Sequence, residues 1–372
     1  MNHRMVARIL GQVLLIFAAL MLLPLIAGLC FGENVAGFAA AIAAAALAGA
    51  ALLRFKPYTR AIFAREGFIA VGLSWLFMGL FGAIPFAVSG DIPLYADALF
   101  ETVSGLTTTG ASVVTDVERL SRAGLFWRSF LEWIGGMGIL VFIMALLPMG
   151  GEHSMHIMRA ELHCYLGLIL LSTLGITLGI TKLYDGIAAA LRHAFFNTVS
   201  LMSTAAFATV DTMEWPQYAR FILVSLMIIG GCAGSTSGGL KVSRAMLLFK
   251  TAAVDIAHII HPREVRCVQM DGKRVDEATT KAVYCFFFLY FVIVMACAFV
   301  LSFDGHSFTT CLTASLSCMS NIGPSLSLVS TAKSYTIFSP FSRLTMMAVM
   351  LLGRLEIYPM LILASPSFWK RK

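Results

Sequence analysis

The chain has 372 residues, 59% of them hydrophobic and only 13% charged, with a mean hydropathy of +0.84. A soluble domain carries roughly a quarter of its residues as charges, so this composition excludes an ordinary soluble enzyme and describes a multi-span membrane protein. The formal net charge of +7 is not that of a nucleic-acid binder. The cations gather in short stretches between apolar runs, the pattern that orients membrane helices.

The N-terminal MNHRMVAR leads straight into a long apolar run, longer than the core of a cleaved signal peptide, which predicts a retained first helix. Apolar runs predict spans over 8–31, 36–53, 67–89, 125–148, 163–183, 218–249, 280–302 and 341–365. With the N-terminus inside, the cytoplasmic turns carry Arg54, Lys56, Arg60 and Arg65, then Arg159, then a basic stretch from Lys250 to Lys281, then the closing Lys370, Arg371 and Lys372. The outer loops carry the acids, among them Asp91, Asp97, Glu101, Asp116, Asp211 and Asp304. The asymmetry predicts both termini in the cytoplasm. Eight scattered cysteines without a CxxC read as small buried hydrophobes.

Three segments, 94–106, 190–204 and 307–319, are too short to cross and follow a span on the outer side. They predict re-entrant half-helices, each followed by a polar run and another span. The unit repeats in letters: FETVS at 100–104 becomes FNTVS at 196–200, an offset of 96 that sets Gly110 over Ala206. TASLS at 313–317 aligns more weakly at an offset of 213 and sets Gly323 over Gly110. The expected fold is all-α integral membrane: about eight transmembrane helices plus three half-helices, in repeated span–pore-helix–span units around a central pore.

Backbone that leaves helical geometry at membrane depth must be buried in protein or line a wet cavity. Extended Thr/Gly/Ser backbone after a half-helix, as in SGLTTTGAS at 104–112, presents carbonyls that can replace the water shell of a cation. The bland alternative is an outer turn that caps a helix. IGGCAGSTSGGLK at 229–241 breaks the run 218–249 and predicts an intramembrane loop; its alternative is a glycine-rich helix interface. It fails the phosphate-loop spacing, since Gly-Leu-Lys stands where Gly-Lys-Ser/Thr is required. Arg354, in GRLE of the last run, must face protein, either holding carbonyls of the broken loop or pairing with Glu132 or Glu356.

SGLTTTGAS, IGGCAGSTSGGLKVSR at 229–244, SNIGPSLS at 320–327 and LLGRLE at 351–356 resemble the Trk/Ktr/HKT superfamily of potassium transporters, most closely the TrkH type. The likeness covers nearly the whole chain. It implies two leading helices (1–57), a first pore repeat (58–152), a repeat with a broken gate helix (153–252), a basic cytoplasmic linker (253–274) and a last repeat (275–372). It implies filter roles for Thr107, Thr108, Thr109, Gly110, Thr204, Ala205, Ala206, Asn321, Ile322 and Gly323, with potassium at Thr108, Thr109, Gly110, Asn321, Ile322 and Gly323. It implies gate roles for Gly230, Gly231, Gly234, Ser235, Thr236, Ser237, Gly238, Gly239 and Arg354. It further implies potassium as substrate with no cofactor, a bacterial inner-membrane location, a homodimer and a cytosolic nucleotide-binding regulatory partner.

Two departures from the family stand out. Only three repeats are found, with too little chain after Met149 for a second, and Ala206 replaces a filter glycine. Three readings follow. The first is a potassium uptake channel or transporter. The second is a degenerate, non-conducting relative that acts as a subunit or remnant. The third is a membrane enzyme using His153, His156, His163, His258 and His261, which lacks an HExxH and an acidic cluster.

Overall fold

The computed structural model describes residues 3–55, 64–116, 119–146, 159–184, 186–205, 207–232, 235, 237–263, 266–270, 273–325, 329, 334–355, 357 and 360. The helices gather into two compact units, Met1–Glu152 with Ser334–Lys372, and His153–Lys333.

The first unit holds α1 (His3–Leu20), α2 (Leu22–Cys30), α3 (Ala36–Leu53), α4 (Ala64–Ser89), α5 (Tyr95–Leu106), α6 (Arg122–Leu146) and α13 (Pro340–Arg354). Small residues let α1 and α3 approach closely. A Cβ on Gly11 would lie 2.8 Å from the Gly49 carbonyl, and one on Gly49 would lie 2.9 Å from that of Gly11. Such glycine contacts stand in for the hydrophobic drive that lipid does not supply. Trp127 anchors the core. It is fully buried, sits 5.6 Å from the Phe17 ring and 6.2 Å from that of Phe38, and donates its indole N–H to the Gly82 carbonyl of α4 at 3.0 Å. The free amides at the start of α6 are answered by Glu33, whose carboxylate accepts from Arg122 N–H at 2.8 Å and Ala123 N–H at 2.9 Å.

The second unit holds α7 (Arg159–Ile180), α8 (Ile187–Met202), α9 (Gln217–Ile229), α10 (Val242–Ile260), the hairpin of β1 (Gln269–Met270) and β2 (Lys273–Arg274), α11 (Glu277–Ser302) and α12 (Phe308–Ser320). Ile176 and Ile180 of α7, Ala190 and Ala194 of α8, Trp215, and Ala219 and Leu223 of α9 form one buried cluster. Trp215 donates its indole N–H to the Tyr184 hydroxyl at 2.9 Å. Ser307 caps α12, its hydroxyl accepting from Thr310 N–H at 3.3 Å. The stretch expected as a linker, 253–274, contains the last turns of α10 and the hairpin.

Five helical stretches among the described residues are long and apolar enough to cross a membrane: His3–Cys30 (across α1 and α2), Ala36–Leu53, Glu66–Ser89, Ala160–Ile180 and Glu277–Ser302. The three short segments are the half-helices α5, α8 and α12, within about three residues of their expected bounds. The expected span 218–249 is interrupted between α9 and α10.

Candidate ion filter and gate

Each half-helix ends in the same way. The chain leaves it through one non-glycine residue with positive φ: Thr108 (φ 54°), Thr204 (φ 57°) and Asn321 (φ 53°). These three positions superpose under the offsets of 96 and 213 that align the letters. The following amide then reaches back five residues: Thr109 N–H to Ser104 O at 2.9 Å, Ala205 N–H to Ser200 O at 2.9 Å, and Ile322 N–H to Ser317 O at 3.0 Å. The positive-φ residue itself donates three residues back, to Gly105, Leu201 and Cys318. This pair of bonds is the Schellman ending, which ordinarily uses glycine. Two of the three residues here are β-branched threonines, for which the left-handed region costs of order 1–3 kcal/mol.

Beyond this turn the backbone leaves regular helical structure. Gly110 has φ 77° and Gly323 has φ 97°, conformations that suit glycine. Thr107 and Thr109 are buried, and their hydroxyls bond each other at 2.7 Å, with Thr107 also donating to the Val103 carbonyl at 2.8 Å. Asn321 and Ile322 are fully buried. Ala206, expected in the filter, lies outside the described residues.

The loop between α9 and α10 is held by its own helix ends. Leu240 N–H donates to the Ile228 carbonyl at 2.9 Å and Val242 N–H to the Gly231 carbonyl at 3.0 Å. Within it, Gly231 N–H donates to the Ser237 hydroxyl at 2.6 Å, and Lys241 Nζ donates to the Ser235 carbonyl at 2.8 Å. Gly230 (φ 69°) and Gly239 (φ 74°) make its turns. Glu161 of α7, fully buried, answers the start of α10 by accepting from Ser243 N–H at 3.0 Å. The loop lies against the end of α12: a Cβ on Gly238 would be 2.7 Å from the Ser320 carbonyl, and one on Gly239 would be 3.1 Å from the Ser320 hydroxyl. That hydroxyl also bonds the buried Tyr290 hydroxyl at 2.8 Å. Of the expected gate residues, Gly234 and Thr236 lie outside the described residues.

Arg354 is buried at the end of α13, donates from Nη2 to the Gly135 carbonyl of α6 at 2.8 Å, and stands 6.0 Å over the Trp75 ring. Glu132, weighed as its partner, is exposed, and Glu356 lies outside the described residues. Gly135 lies so close to α5 that any Cβ there would collide with the Leu106 carbonyl.

Sequence reasoning missed Glu101, which it counted among the outer acids. Glu101 is buried on α5 and bonds Ser112, Val113 and Arg128. The signal was present in FETVS and FNTVS, where the one letter that differs is this acid. All eight cysteines are free, including Cys311 and Cys318. Among the described residues no group of three or more His, Cys, Asp or Glu side chains stands close enough to hold a metal; His153 and His156 lie outside them.

A family profile for TrkH, described as a cation transport protein, matches residues 33–184 and 179–371. The chain is 28% identical to the Trk system potassium uptake protein TrkH of Salmonella typhimurium over 490 aligned positions, covering 100% of both proteins. It is 27% identical to TrkH of Escherichia coli K12, with 100% of both covered, and 26% identical to TrkG of the same strain, with 99% of both covered. The crystal structure of the potassium transporter TrkH from Vibrio parahaemolyticus superposes with a TM-score of 0.90 at 26% identity, covering 100% of both chains. These relatives are transporters and not enzymes, and an alignment longer than the 372-residue chain places gaps inside it. The chain is a multi-pass, all-α membrane protein and belongs to the TrkH family of cation transport proteins.

Proposed function

We propose that the protein carries potassium across the bacterial inner membrane, with backbone carbonyls of 107–110, 204–206 and 321–323 acting as its filter and the loop 230–239 as its gate. The observation that carries this reading is the triple coincidence at Thr108, Thr204 and Asn321: one strained conformation and one back-bond, at three positions that align in sequence. Capping alone would be met by glycine or asparagine at lower cost, so the strained threonines of the first two copies point to a defined backbone path for the residues that follow. Its relatives are named for potassium uptake, and Gly110, where a serine favours sodium in plant members of the superfamily, favours the same ion. Both termini face the cytoplasm, the protein works as a homodimer, and a cytosolic nucleotide-binding subunit regulates it.

A second reading, a non-conducting relative without the second pore repeat, is favoured by the gaps in the alignment and by Ala206 at a glycine position. Rubidium uptake in a potassium-transport-deficient host separates the two. Uptake by the unaltered chain, reduced roughly 5- to 30-fold by Gly110→Ala, is expected, because a side chain at φ 77° costs about 1–2 kcal/mol and shifts the carbonyl. Membrane-inserted protein with no uptake would leave the second reading standing.

A further inference from the structure

Resting on the filter reading, we propose that Glu101 and Arg128 are the positioning pair of the first filter segment, and that they set how sharply it discriminates between cations. Glu101 is only 5% exposed, and both of its carboxylate oxygens are engaged. One accepts from Arg128 Nε at 2.7 Å and from the Ser112 hydroxyl at 3.0 Å. The other accepts from Val113 N–H at 3.0 Å. The Ser112 hydroxyl also accepts from Val114 N–H at 3.0 Å, and the Ser112 carbonyl accepts from Tyr335 N–H at 2.9 Å. The backbone two residues after Gly110 is therefore pinned from both sides, one of them charged.

The other two segments are held differently, and the contrast gives Glu101 its meaning. In the second copy the serine that ends FNTVS, Ser200, donates to the Phe207 carbonyl at 2.6 Å. In the third copy Ser317 donates to the Pro324 carbonyl at 2.9 Å. These are the same bond, from half-helix to extended segment, under the repeat offsets. In the first copy Ser104 is buried and its hydroxyl has no hydrogen-bond partner among the described residues. The position of Glu101 is taken by Asn197 in the second copy, where Nδ2 donates to the Thr209 hydroxyl at 3.2 Å, and by Ala314 in the third. The first segment has exchanged a neutral serine clamp for a carboxylate–guanidinium clamp. Charge-assisted bonds are roughly twice as strong as neutral ones, so the clamp on this segment is the stronger kind.

The test is rubidium uptake with sodium as competitor, in the transport-deficient host, for the unaltered chain, Glu101→Gln and Arg128→Gln, each normalised to protein in the membrane. Glu101→Gln keeps the shape but loses the charge; we expect maximal uptake to change little and the preference for rubidium over sodium to fall about tenfold, the effect of losing one charge-assisted hydrogen bond. Arg128→Gln should do the same. If either variant fails to reach the membrane, Ser112→Ala removes the clamped hydroxyl while leaving the ion pair, and the same loss of preference is expected. Unchanged preference in the variants that do reach the membrane, beside uptake by the unaltered chain, overturns this inference and leaves the filter reading intact. No uptake by the unaltered chain overturns both.

Discussion

Ser104, Ser200 and Ser317 occupy one position of a repeat and meet three fates. Ser200 and Ser317 hold carbonyls seven residues on, whereas the buried Ser104 hydroxyl has no hydrogen-bond partner among the described residues. A neutral hydrogen bond of this kind is worth about 1 kcal/mol net, and a buried hydroxyl without one costs rather than helps. Thermal unfolding in detergent should accordingly show Ser200→Ala and Ser317→Ala lowered by about 2 °C and Ser104→Ala unchanged or slightly raised. A uniform drop for all three would mean that Ser104 has a partner after all. The letters alone could not separate the three residues. A serine reads the same whether its hydroxyl reaches a carbonyl or not, and the reach depends on how the extended segment folds back.

At the scale of elements, the half-helices and the interrupted helix were legible because lipid imposes strict lengths. Segments such as 94–106 are too short to cross, and a run of glycine and serine cannot continue a membrane helix. Positive φ at Thr108 and Thr204 was not legible, since propensity puts glycine or asparagine there, as at Asn321, and threonine nowhere near it. Nor was the contact of Arg354 with Gly135, because it depends on which helices are neighbours. The seat of the loop 230–241 on α12 is likewise a tertiary fact, visible only as the reason Gly238 has no side chain. A methyl there would press on the Ser320 backbone, which cannot rotate away as a side chain would. Gly238→Ala should cost about 1–3 kcal/mol and, in the uptake assay, slow transport while leaving the amount of membrane protein largely intact. A Gly238→Ala chain that transports normally would show that the seat is loose.

For the whole molecule, the resemblance to TrkH was legible over nearly the full chain, and the family match and a TM-score of 0.90 accord with it. Among the described residues the half-helix unit occurs at α5, α8 and α12. Ala206 stands where the other two copies have glycine at φ 77° and 97°. If the ring is impaired at that position, Ala206→Gly should raise rubidium uptake severalfold, since it restores the dihedral freedom that a Cβ removes. No gain would place the limit elsewhere, for example in the loop 230–241.

The bonds that close this loop also bear on time. An interrupted helix in lipid leaves orphan amides and carbonyls, each expensive without water. Here Leu240 and Val242 spend their amides on Ile228 and Gly231, carbonyls at and just beyond the opposite helix end. Both bonds close the same short segment, so forming one lowers the loop-closure cost of the other. In the gate role proposed for it, the loop would therefore favour full closure or full release over intermediate positions. A barrier made this way would yield dwell times, long closed intervals broken by short openings, rather than a conductance that varies smoothly with conditions.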